Sequence, residues 1–265
     1  MTRTTFDEQA VHFDRRAGLP DAAVVAIVED LAHLAGNGRI VEIGCGTGQI
    51  GAALAERHAA YVGLDLSVAM LAVFGRRSRM PRLAADGSRP WPLRSGSARL
   101  IFASRAAHRL DLVTLGREVA RLAEPQGAAF VLGRVERPEG SVRKNLRREL
   151  QRLLGRRDLK ERGGRTGHRA ALDAVRGQVA GAAEDLPGHA VATWEVEECP
   201  AAILAAWRGK SGLGGHDVAP DLQRELLDEL ETFARERFGA LDLGYPSTET
   251  YEIAGVRIPP RGDIE

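Results

Sequence analysis

Cysteine is scarce in this chain of 265 residues: Cys45 and Cys199 are the only two. They allow one bridge at most and cannot supply a four-thiolate zinc site, so a disulfide-stapled scaffold is not expected. Aromatic residues reach only 5%, which argues against a surface that stacks on bases. No apolar run approaches the ~18 residues that span a bilayer. The opening MTRTTFDEQAVHFDRRAGLP has no apolar segment of the kind a secretory signal carries. The expected location is the reducing cytoplasm. Neither sign of charge dominates, because 37 basic and 36 acidic residues leave +1, and no global field singles out nucleic acid or an anionic membrane.

Apolar residues make up 44% of the chain and glycine is abundant, with 30 residues, so the composition is that of a globular domain with many turns and an Ala/Leu/Val core. In residues 21–35, Val24, Val25, Val28, Leu31, Ala32 and Leu34 recur with a helical period, and Gly36-Asn37-Gly38 ends the helix. RIVEIG then runs into GCGTGQIGAALAERH, a buried strand, a glycine turn and a second helix. AYVGLDL is a second strand, followed by a helix SVAMLAVFGRR with Ser67 as its cap. This alternation is the rhythm of a parallel sheet with crossover helices. PRLAADG is a weak third strand; residues 99–103 form a fourth, residues 111–123 a helix, and AAFVLGRV a fifth strand after an EPQG turn.

Composition changes after that strand. Between Arg134 and Arg169 there are thirteen Arg or Lys against five Glu or Asp, a net +8, so the remainder of the chain carries −7. Within SVRKNLRRELQRLLG, Val142, Leu146, Leu150, Leu153 and Leu154 form a narrow apolar stripe, and RRDLKERGGRTGHR reads as an exposed connection. A helix around 170–182, a half-exposed strand ATWEVEE, a helix from Pro200, a strong amphipathic helix from Pro220 and a last strand YEIAGVRI, with YPSTE as its turn, complete the chain. The expected fold is α/β: a seven-stranded, mostly parallel sheet with helices on both faces and a helical insertion after strand 5.

In VEIGCGTGQIG, the glycines at 44, 46 and 48 permit left-handed backbone and close ligand approach, at the point where a helix start offers free N–H groups. Gly46-x-Gly48-x-x-Gly51 also satisfies the spacing of a dinucleotide fingerprint, and Asp65, at the end of the second strand, would accept ribose hydroxyls in either case. Glu42 distinguishes the two. Beside a pyrophosphate its charge would repel, whereas a ligand with an ammonium and a sulfonium would favour it. Gly51 is then a helix-packing glycine.

Glu42-x-Gly44-x-Gly46-x-Gly48, Asp65 and Ser67 in LDLSVAML, Asp86 after the third strand and the EPQG turn together resemble the successive motifs of class I S-adenosylmethionine-dependent methyltransferases, particularly those acting on quinones and other small molecules. The resemblance covers residues 6–135. It implies a Rossmann-like fold in which the glycine loop, with Cys45 and Thr47, holds the methionyl part of S-adenosylmethionine. Asp65 would hold the ribose, and Leu66, Asp86 and Gly87 the adenine side, with Met70 and Ser104 completing the cofactor set. FDEQAVHFDRR is similar to a lid segment, placing Phe6 and Phe13 over the cofactor and Arg16 nearby. The organisation implied is one methyltransferase domain: a lid over 1–20, a cofactor-binding core over 21–135, the arginine-rich insertion over 136–190, and the last strands and helices over 191–265.

The resemblance also marks His108, which matches a histidine of the loop where substrate and methyl group meet and would orient or deprotonate an acceptor hydroxyl. Phe13, Arg16, Arg105, His108 and Trp207 are the candidates for an acceptor pocket, and no residue is a candidate metal ligand. A small-molecule acceptor is expected. Two alternatives stand beside it: an RNA acceptor, tracked by Arg143, Arg147, Arg148, Arg152 and Arg156 with the basic residues up to Arg165, and a catalytically silent cofactor-binding protein that acts through partners. No aromatic residue lies between Val131 and Val191 to stack on RNA bases.

Overall fold

A computed structural model describes residues 10, 13–14, 18–58, 60–107, 110–159, 167–179, 183–210, 212–213, 216 and 218–260. Chain order is α1 (Asp21–Ala35), β1 (Ile40–Ile43), α2 (Gln49–Arg57), β2 (Tyr61–Asp65), α3 (Val68–Arg77), β3 (Arg82–Ala84), β4 (Leu100–Ser104), α4 (Leu112–Leu122), β5 (Ala128–Glu136), α5 (Val142–Arg156), α6 (His168–Gln178), β6 (Glu184–Glu198), α7 (Pro200–Arg208), α8 (Pro220–Phe238) and β7 (Tyr245–Ile258). The seven strands form one sheet in the order β3-β2-β1-β4-β5-β7-β6. β1 lies between β2 and β4, and the pairs β1–β2, β1–β4, β2–β3 and β4–β5 are all parallel. The fold is thus the Rossmann-like α/β architecture expected. Its switch point lies between β1 and β4, where the strand order changes direction and a crevice opens at the carboxyl ends.

Local chemistry explains the element boundaries. Gly36 adopts φ 56° and closes α1. Ser67 caps α3 by accepting the Met70 N–H, Asp111 caps α4 through Thr114, and Ser141 caps α5 through Lys144. The apolar stripe of α5 is buried at all five expected positions. Two boundaries differ from the sequence pattern. β6 starts at Glu184, well before ATWEVEE, and passes through Pro187 and Gly188; it is the edge strand, where a proline can sit without breaking an inner ladder. YPSTE is not a turn but the beginning of β7, which starts at Tyr245.

The chain divides into two compact units, one of Met1–Val135, Thr166–Ala192 and Tyr251–Glu265, the other of Glu136–Arg165 and Thr193–Thr250. The segment read as an insertion over 136–190 is therefore shared out between them, with α6 in the first unit. The first unit's core is built from β1, β2, β4 and β5 residues such as Val41, Leu64, Ile101 and Phe130, together with Leu115, Val119 and Val175 from α4 and α6. The second unit closes around Leu146, Leu150, Leu204, Leu226 and Leu230. Among the described residues no helix is long and apolar enough to cross a membrane.

Gly116 sets how closely α4 and α6 approach. A Cβ there would stand 2.5 Å from the carbonyl oxygen of Ala174 and 2.8 Å from Cγ of Gln178. Gly116→Ala gains about 1 kcal/mol of helix propensity but forces two helix backbones apart, an overpacking cost of about 1–3 kcal/mol. Urea denaturation should show a net loss of stability; a more stable variant would mean that the two helices separate at no cost.

Candidate functional site

A cavity of about 210 Å³ opens at the carboxyl ends of β1, β2, β3 and β4. Its lining includes twelve of the thirteen expected cofactor residues that the structure describes: Phe13, Glu42, Gly44, Cys45, Gly46, Thr47, Asp65, Leu66, Met70, Asp86, Gly87 and Ser104. Gly48 stands behind it as the N-cap of α2. Arg105 also lines the cavity. Arg16 and His108, like Phe6, lie outside the described residues. Trp207, nominated for an acceptor pocket, is instead buried in the apolar core of the second unit and is not among the lining residues. Ile43, Gln49, Ile50, Leu64, Ala85, Ser88, Ala106 and Leu110 complete the wall. They carry no motif; only their adjacency to the glycine loop and strand ends could have marked them.

Each loop glycine is required for a different reason, and all three have positive φ. At Gly44 a Cβ would meet Cβ of Ala106 at 2.5 Å, and at Gly48 it would enter the Phe74 ring at 2.3 Å. At Gly46 it would meet nothing within 4 Å, so the space that a side chain would fill is left to the cavity. The loop is held from β2: Gly44 and Cys45 donate to the carbonyl of Leu64 at 2.7 and 3.0 Å. One Asp65 oxygen accepts the Gly46 N–H and the other the Ser67 N–H, each at 2.8 Å. Gly51 acts as the packing glycine: a Cβ there would stand 2.2 Å from the Tyr61 hydroxyl and 2.8 Å from Phe74.

The N-terminal strap is fastened to this loop. Thr47 donates to Asp14 at 2.6 Å, Asp14 pairs with Arg77, and Gln49 exchanges two hydrogen bonds with the Leu19 backbone at 2.7 and 2.9 Å. Phe13 thereby reaches the cavity wall. On the β3 side, Trp91 donates from its indole to the Gly87 carbonyl at 3.1 Å, and the Trp91 N–H is taken at 2.8 Å by buried Glu118. That anchor fixes the Asp86-Gly87 turn.

Glu42 is buried, 2% exposed, with the Tyr61 hydroxyl donating to it at 2.6 Å. Burial pushes its pKa up to about 7; the Tyr61 bond opposes the rise, Asp65 adds to it and the Arg105 guanidinium opposes it. Burial also pushes the Cys45 thiol and the Tyr61 phenol up, so neither is ionised near neutrality. At the β4 end the buried Tyr251 hydroxyl and Ser104 Oγ are 2.7 Å apart. The arrangement therefore offers a buried carboxylate for a cation, an acid at each of two further strand ends, and backbone open to close approach.

Two variants test it. Glu42 binds its proton near pH 7 when folded and near 4.5 when unfolded. The native state thus loses stability as pH rises through that window, by roughly 3 kcal/mol in all. Glu42→Gln should be more stable than the parent at pH 8, with the gap closing toward pH 4.5, and should bind a cationic ligand more weakly and without pH dependence. A gap in chemical denaturation that is constant across pH would place the titration elsewhere. In Asp65→Asn the amide must turn its NH₂ toward either Gly46 N–H or Ser67 N–H. Loss of one charge-assisted bond, of about 1.5–3 kcal/mol, should appear in ligand affinity as well as in loop order; an unchanged dissociation constant for S-adenosylhomocysteine would make Asp65 a loop clamp only.

Residues 41–131 match the family model described as "Methyltransferase domain". No curated protein matches the chain. Among solved structures, a SAM-dependent methyltransferase of Thermotoga maritima is 13% identical with a TM-score of 0.53, over 97% of this chain and 100% of that one. A protein of Anaeromyxobacter dehalogenans, provisionally designated a type II methyltransferase, is 22% identical with a TM-score of 0.54, over 89% and 96%. Geranyl diphosphate C-methyltransferase of Streptomyces coelicolor A3(2) is 13% identical with a TM-score of 0.50, over 95% and 81%. These likenesses show a shared fold.

Proposed function

We propose that the chain, whose residues 41–131 match a methyltransferase-domain model, is a class I S-adenosylmethionine-dependent methyltransferase that moves a methyl group from S-adenosylmethionine to a small-molecule acceptor by in-line displacement. The observation that carries this reading is the buried Glu42 carboxylate beside Gly46, where a missing Cβ opens onto the cavity. A cationic amino-acid tail fits there and a pyrophosphate does not. Glu42 would hold the ammonium, Asp65 the ribose hydroxyls and the Asp86-Gly87 turn the base. When bound, the cofactor supplies an electrophilic methyl group on a sulfonium that departs as a neutral thioether. The chain's own part is alignment and desolvation: Phe13, which lines the cavity next to the Asp14 that Thr47 holds, would help exclude water from the site.

The arginines of α5 support a small acceptor over RNA. Arg148 and Lys144 pair with Glu139, Arg152 with Glu149, Arg143 with Glu198, and Arg157, just beyond α5, with Glu225 and Glu229. A basic stretch engaged by its own carboxylates has little charge left to displace counterions from a phosphate backbone.

Calorimetric titration with S-adenosylmethionine, S-adenosylhomocysteine and NAD should show micromolar-range binding of the first two and negligible binding of NAD. Filter binding of single-stranded RNA across a salt series should be weak throughout. Tight NAD binding without binding of the sulfonium cofactor would return the loop to the dinucleotide reading, and steep salt dependence coupled to methyl incorporation into RNA would change the acceptor class.

A further inference from the structure

Arg105 is one of two non-glycine residues with positive φ among those described, at 55°. A left-handed arginine is unfavourable unless its surroundings fix it, and they do. Its N–H donates to the Gly133 carbonyl at 2.9 Å, and the next residue, Ala106, is pressed against Gly44. Arg105 lines the cavity, the one cationic residue among the described lining residues, and it shares that lining with Glu42, Asp65 and Asp86. Those three acids belong to the ends of β1, β2 and β3, the half assigned to the cofactor. Arg105 follows β4, the next strand beyond β1 on the other side. Beside it Ser104 lines the same cavity and shares a hydrogen bond with buried Tyr251, and the guanidinium is near enough to lower the pKa of both Glu42 and Tyr251.

We propose that the methyl acceptor carries a carboxylate, and that Arg105 anchors it at the β4 end of the cavity with Ser104 as the adjoining hydroxyl. This rests on the methyltransferase reading above. A planar guanidinium recognises a carboxylate through paired N–H donors. Three acids on the same wall make a doubly charged phosphate a poorer fit than a single negative charge. Arg105 is thus a specificity residue, and its strained backbone is the means by which the end of β4 aims a long cationic side chain into the site.

The test uses binding, not turnover. With the full chain saturated with S-adenosylhomocysteine, benzoate and octanoate are titrated by calorimetry against benzamide and octanamide. The carboxylates should bind at least tenfold more tightly than their amides. Arg105→Gln should abolish that preference and Arg105→Lys should keep part of it, while S-adenosylhomocysteine affinity stays within twofold. Arg105→Gly, which suits the left-handed backbone, serves if Arg105→Gln does not fold. Equal binding of acid and amide by the parent, or no binding of either, overturns the proposal. So does a tenfold loss of S-adenosylhomocysteine affinity in Arg105→Gln with 5′-methylthioadenosine unaffected, since that nucleoside lacks the amino-acid tail and the guanidinium would then serve the cofactor's own carboxylate. Failure of the parent to bind S-adenosylhomocysteine at all would overturn the methyltransferase reading, and this proposal with it.

Discussion

One carboxylate joins the two turns on which the site depends. Asp65 ends β2, and its two oxygens reach in different directions, to the Gly46 N–H in the loop after β1 and to the Ser67 N–H at the start of α3. Both donors belong to backbone that helix and sheet ladders leave unsatisfied. A single charged acceptor therefore fixes the loop that opens α2 and the turn that opens α3. Everything placed by those turns follows: the Ser67 cap, the packing of Phe74 against Gly48, and the wall formed by Leu66 and Met70. The strap is latched onto the same loop through Thr47 and Gln49.

Glu42 is the opposite kind of acid. Asp65 is satisfied and contributes to order, whereas Glu42 is carried into the interior on a fully buried strand and given one hydroxyl partner that the described geometry shows, at an energetic cost that grows with pH. A group kept in that state against the stability of the fold is characteristic of a binding site. The physical logic is complementary: a cationic ligand would add a counter-charge to that of the nearby Arg105 guanidinium.

The second unit pairs several of its basic side chains with carboxylates. A window with a net +8 invites a polyanion, yet its arginines reach to carboxylates within the window, at Glu139 and Glu149, and to others much further along the chain, at Glu198, Glu225 and Glu229. Part of the excess in the window is offset by acids contributed from outside it. Net charge over a stretch of sequence is a statement about the chain, and the field outside the protein depends on which side chains the fold brings beside one another.

Much of the first unit was legible from local pattern, because its signals are short-range. The helical period of 21–35, the cap at Ser67, the glycine loop and the βα alternation each depend on residues a few positions apart, and the structure reproduces them. Twelve cavity residues were named from motifs for the same reason. What the sequence did not disclose is set by partners distant in the chain. β6 and β7 extend past Pro187 and through YPSTE because an edge strand and its neighbour form by pairing, not by their own period. α6 joins the first unit because Gly116, far upstream, allows close approach. Trp207 fills a core instead of a pocket, Tyr61 meets Glu42, and Tyr251 meets Ser104 across 147 positions. Sequence alone determined the elements and the loop chemistry, since backbone preference and capping act between neighbours; tertiary structure decided which charges are paired, which are buried and which face the cavity, since those depend on contacts that no local pattern encodes.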